Sequence, residues 1–148
     1  MVETSSLSEE LHRLVDDLLP FAEKMLREHR EFLPFGGHVK PDGEIVWEGA
    51  YNGEDLPLSQ DLIDLLHESH RKMADQHLIR ACAVVYDIRT IPPGKSKKKQ
   101  DAICAAADSR DGRSVRFVFP YRFSLLGKLV VEPGYTIPQG AGIFSPSA

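Results

Sequence analysis

The stretch from Ile79 to Ile88 constrains the fold more than any other part of the chain. It is apolar at both parities, with Ala81, Ala83 and Val85 on one side and Cys82, Val84, Tyr86 and Ile88 on the other. Successive side chains of a strand point to opposite faces of its sheet, so both faces of this strand need cover. The helices legible in the chain are expected to cover one face only. The other is expected to be an association surface, and a homodimer is the expected state.

The first helix is predicted over residues 7 to 31. Leu7, Leu11, Leu14, Leu18, Phe21, Met25 and His29 recur at spacings of three and four, which is one face of a helix. Ser6 followed by Glu9 reads as a capping box at its start. Pro20 lacks an amide hydrogen and predicts a kink or two abutting helices. Phe32 to Gly37 ends this segment with a proline and two glycines. A β-hairpin follows, with strands at His38–Lys40 and Glu44–Glu48 and a turn at Pro41-Asp42-Gly43. A second helix starts near Ser59, which or whose predecessors cap it, and ends near His77. Its expected buried stripe is Leu58, Leu62, Leu65, Leu66, Ser69 and Met73.

Strands are expected at 79 to 91, 101 to 107, 114 to 121 and 126 to 131, with an Asp111-Gly112 turn and an irregular Gly/Pro-rich tail from about 133. The order predicts one compact α+β domain over residues 1–148, an antiparallel sheet of about five strands with two helices packed on one face. A hairpin turn centred on Pro93 sets Cys82 opposite Cys104, Val84 opposite Ala102 and Asp87 opposite Lys99. Both thiols are expected to stay reduced.

Apolar residues are 42% of the 148, charged residues 27%, and net charge is −4. Such a chain carries no global basic field for nucleic acid or anionic membrane. Its start lacks the basic and apolar regions of a signal peptide, and no run nears the roughly 20 apolar residues of a membrane span. With two cysteines and no disulfide framework, a cytoplasmic location is expected. The expected partner is a second copy or another protein, not membrane or nucleic acid.

No catalytic motif is legible. His67, His70 and His77 lie on or beside the second helix without a full ligand set, so no metal and no cofactor is expected. Cys82 and Cys104 have small apolar neighbours and read as core rather than as nucleophiles. Asp16, Asp17, Asp61, Asp64 and Glu68 read as solvated helix faces, and Lys95 to Lys99 as a solvated hairpin tip. The leading expectation is a non-enzymatic interaction or structural domain. The alternative is a small enzyme or ligand binder with a pocket between sheet and helices, near Phe35, His38, Trp47 and Tyr121.

Glu31-Phe32-Leu33-Pro34-Phe35-Gly36, Asp42-Gly43-Glu44-Ile45, Asp101-Ala102-Ile103 and Phe119-Pro120-Tyr121 together resemble a family of small bacterial proteins of unknown function, marked by a Phe-x-Pro-Phe-Gly segment. The resemblance spans most of the domain and implies no activity.

Overall fold

The structure is a computed structural model that describes residues 2–49, 58–90, 99–139 and 142–144, with the backbone alone for 2–8. Its elements are α1 (Val2–His29), β1 (Phe35–Val39), β2 (Ile45–Glu48), α2 (Ser59–Asp75), β3 (Ala81–Thr90), β4 (Gln100–Ser109), β5 (Ser114–Phe123), β6 (Leu129–Val131) and β7 (Tyr135–Pro138). The strands form one antiparallel sheet in the order β2-β1-β3-β4-β5-β6, and β7 also pairs with β5. The expected α+β class, an antiparallel sheet with two helices packed against it, is the observed one. The stretch after Pro133 is less irregular than expected, because β7 pairs Tyr135 to Pro138 with β5.

Helix α1 buries Leu11, Leu14, Val15, Leu18, Ala22 and Leu26. Leu11, Leu14 and Leu18 belong to the stripe its spacing predicts, but toward the C-terminal end the buried line shifts by one residue to Ala22 and Leu26, leaving Phe21 and Met25 half-buried and His29 exposed. It is one continuous helix through Pro20, not two, and Pro20 and Asp16 both lie on its exposed side. There, water can serve the Asp16 carbonyl that proline leaves without an amide. Because the helix begins at Val2, Ser6 lies inside it and is no N-cap. At the other end Arg30 takes a left-handed conformation (φ 62°), and its amide closes the last turn on the Leu26 carbonyl at 2.9 Å.

The Pro41-Asp42-Gly43 turn forms as expected. Gly43 has φ 95°, its amide reaches the Lys40 carbonyl at 2.8 Å, and Asp42 Oδ1 accepts from the Glu44 amide at 2.9 Å. The first strand begins earlier than the sequence suggests, at Phe35, and includes both glycines. They decide the architecture. A Cβ on Gly37 would sit 2.8 Å from Leu18 Cδ2 of α1, and one on Gly36 would sit 3.5 Å from the His70 ring and 3.6 Å from Leu66 of α2. Adjacent strand residues face opposite ways, so the two helices lie on opposite faces, not on one as expected. Glycine lets each helix approach the strand backbone.

Helix α2 thus occupies the face expected to be open. Its buried residues are Leu62, Leu66 and His70. Leu58, Leu65 and Ser69 of the expected stripe are exposed, because an i, i+4, i+8 line rather than the wider stripe meets β1 and β3. Among the described residues no side chain caps α2: Leu58 holds the N-cap position, Ser59 is already the first helical residue, and the residues before Leu58 lie outside the described ones.

Strands β3 and β4 pair as a hairpin, but in a register four residues from the expected one. Cys82 faces Asp108, Val84 faces Ala106, Asp87 faces Ile103 and Cys104 faces Tyr86. The observed register sets the buried run Ala81–Val85 against the buried run Ala105–Ser109. The expected one would have carried the end of β4 past the start of β3. A shift of four is even, so Cys82 and Val84 still share a face with Ala102, Cys104 and Ala106. Both cysteines are free and buried. Four positions of offset along a strand, about 13 Å, put them beyond disulfide reach. The pairing expected of Asp87 is made instead by Arg89, which bonds Asp101 at 3.1 Å. Most of the Lys95–Lys99 run lies outside the described residues.

Candidate functional site

On the α2 face of the sheet, β1 and β2 bring a carboxylate and an imidazole together. Glu48 is the cross-strand partner of Gly36, and His38 lies two residues further along β1 on the same face. Gly36 carries no side chain, so a gap opens over the strand. The ring of His70 descends from α2 into that gap. Glu48 thereby bridges two histidines: Oε2 is bonded to His38 Nδ1, and Oε1 lies 2.7 Å from His70 Nε2. His70 is fully buried, while His38 and Glu48 are half-buried.

Burial alone would raise the Glu48 carboxyl above its usual range. The hydrogen bonds and charges of His38 and His70 outweigh it and hold the pKa at about 2. Glu48 is therefore an anion at neutral pH and can only accept. His38 therefore donates from Nδ1, and it is Nε2 that points away from the carboxylate and is left to meet another group. This is the second half of a carboxylate–imidazole pair, in which the carboxylate fixes tautomer and orientation. His70 Nδ1 is buried without a hydrogen-bond partner among the described residues.

Beside this pair runs a cleft of about 450 Å³ between α2 and the β1–β2 hairpin, lined by His38, Glu48, Gly49, Leu65, Leu66, Ser69 and Met73. Its wall is largely apolar, with the imidazole, the carboxylate and one hydroxyl as its polar groups. The exposed Leu65 and Ser69, out of place in a buried stripe, are cleft lining. Among the described residues no group of three or more His, Cys, Asp or Glu is placed to hold a metal ion.

The four residues singled out from sequence do not meet. His38 lines this cleft. Phe35, Trp47 and Tyr121 lie on the α1 face, where Phe35 and Tyr121 are core and Trp47 is exposed, its Nε1 donating to Asp17 at 2.7 Å. The Tyr121 hydroxyl donates to Asp87 at 2.8 Å. Sequence reasoning passed over Glu48 and treated His70 as unremarkable. His77 is exposed beyond the end of α2, and His67 is half-buried. The available signal was parity: His38 and Glu48 sit on one face of a predicted hairpin, next to a glycine that leaves room for a third group.

Comparison of the chain with protein-family models, with curated proteins and with solved structures finds no match.

Proposed function

We propose that the cleft between α2 and the β1–β2 hairpin is a small-molecule binding site in which His38, oriented by Glu48, accepts a proton or hydrogen bond from the bound molecule. The observation that carries this reading is the ionised Glu48 bonded to His38 Nδ1 at the edge of the cleft. An apolar wall with few polar groups suits a neutral, mostly apolar molecule bearing one hydroxyl or amide donor. The chemistry within reach is general-base removal of that donor's proton. The test is titration of isotope-labelled protein with small phenols, alcohols and amides. Donor-bearing probes are expected to shift the amides of His38, Ser69 and Met73, and His38→Ala to abolish the response. A panel that leaves those amides unmoved overturns the reading.

A separate observation favours a second reading, an interaction domain that self-associates as a homodimer. With α2 on the second face, the reason for association moves elsewhere. Leu125 and Leu126 are almost wholly exposed at the tip of the β5–β6 hairpin. The tip is held by Gly127 N–H to Ser124 O at 2.8 Å and by Ser124 N–H to Lys128 O at 2.8 Å. These two adjacent exposed leucines form an apolar patch that a second copy of the chain would cover. Light scattering at high micromolar concentration is expected to show a dimer that Leu125→Asp with Leu126→Asp dissociates. A wild-type monomer under those conditions rules this reading out.

A further inference from the structure

A polar notch lies on the same face of the sheet, on the opposite flank of α2 from the cleft. It measures about 230 Å³ and is lined by Asp64, His67 and Arg71 of α2, by Asp108 and Ser114, and by Gln139, Gly142 and Ile143 of the C-terminal segment. Asp108 and Ser114 are cross-strand partners on β4 and β5, and both are buried. A buried carboxylate is costly unless it is well served. Among the described residues Asp108 Oδ1 accepts a long hydrogen bond from the Ile143 amide at 3.3 Å. The chain crosses it at Gly142, where a Cβ would stand 2.0 Å from Asp108 Oδ1. At Gly142 the backbone therefore runs directly against the carboxylate. The Nε2 of Gln139, also at this notch, is buried with no partner among the described residues.

Charges of both signs line the notch without pairing. Asp64 and Arg71 are seven positions apart on α2, about 10.5 Å along its axis, which keeps their charges separate. Among the described residues neither Asp64 nor Asp108 forms an ion pair with Arg71; Asp64 instead accepts from Gln60 at 2.9 Å. His67 stands between them on α2. Burial, more than its neighbours, lowers its pKa, so it lines the notch as a neutral imidazole.

We propose that this notch binds a small zwitterion of amino-acid type, its ammonium held by Asp108 and Asp64 and its carboxylate by Arg71. Two separated, unpaired poles across a small polar space match a ligand that carries both charges. A molecule with one charge satisfies only half of the site. The volume, about eight times the share of one water in the liquid, admits a ligand of this size.

The test is titration of isotope-labelled protein with glycine and 4-aminobutyrate, with methylammonium and acetate as half-molecules. At least one zwitterion is expected to bind saturably, shifting the amides of Ser114, Gly142 and Ile143, at least tenfold more tightly than either half-molecule. Arg71→Met, at an exposed position, is expected to keep the fold and to bring the zwitterion down to the affinity of methylammonium. His38→Ala is expected to leave this binding unchanged. Equal or absent responses to all four probes overturn the proposal, as does a zwitterion affinity that Arg71→Met does not alter.

Discussion

Replacing Glu48 by glutamine is expected to loosen α2 from the sheet and to flatten the acid limb of the stability profile. The two helices are held very unequally. Helix α1 buries four leucines completely or nearly so, each worth about 1.5–3 kcal/mol of transfer free energy, whereas α2 buries two. The bond of Glu48 to His70 therefore forms a large part of what fastens α2, while its bond to His38 holds the carboxylate in place on the hairpin. The direction of the pH effect follows from the shift. The folded-state pKa of about 2 lies below the ordinary value of 4.5, so the contribution is complete above 4.5 and is lost as pH falls from there toward 2. The depression corresponds to on the order of 3 kcal/mol, and partial exposure of the cleft reduces it to about 2 kcal/mol. Urea unfolding of wild type and Glu48→Gln is expected to differ by that amount at pH 7 and to converge near pH 2. Hydrogen exchange at pH 7 is expected to quicken across α2 while β3 and β4 keep their protection. A variant as stable as wild type at pH 7 contradicts the assignment, as does uniform loss of protection.

The second large effect is expected at the paired glycines, and here the order of the two matters. Alanine at Gly36 places its Cβ 2.8 Å from the Ala83 carbonyl oxygen, a backbone atom of the neighbouring strand. Alanine at Gly37 meets first a Leu18 methyl, also at 2.8 Å, which turns more easily than a strand moves. Alanine also loses less backbone entropy on folding than glycine, which offsets part of either cost. Gly36→Ala is expected to cost about 2–3 kcal/mol and to lower Tm by about 5–10 °C. Gly37→Ala is expected to cost about 1 kcal/mol. Gly36→Val in addition displaces the His70 ring and is expected to remove ligand response at the cleft. Thermal melts giving the reverse order, or no loss at Gly36, would sink the account of close helix approach.

Local chemistry decided much of this protein, and that part was legible in the sequence. The spacing of Leu11, Leu14 and Leu18 suffices for an amphipathic helix, and Asp42-Gly43 for the first hairpin turn, because both depend on neighbours within a few residues. The two-sided apolarity of β3 marked a central strand, and it is one, with β1 and β4 on either side. What covers its second face was not legible. Phe35 to Val39 reads as a glycine-weakened loop and strand until two helices are set against it. Only then do Gly36 and Gly37 become the points of closest approach. The β3–β4 register was decided by matching two buried runs, which outweighed the position of Pro93 in the connecting loop. The candidate site was least legible of all. Glu48 meets His38 across 10 residues and His70 across 22, through side chains that separately look like ordinary surface or helix residues. A carboxylate held near pKa 2 exists only where the sheet and α2 exclude water from it and two imidazoles converge. That convergence is a property of the packed structure, because no local segment of the chain contains all three groups.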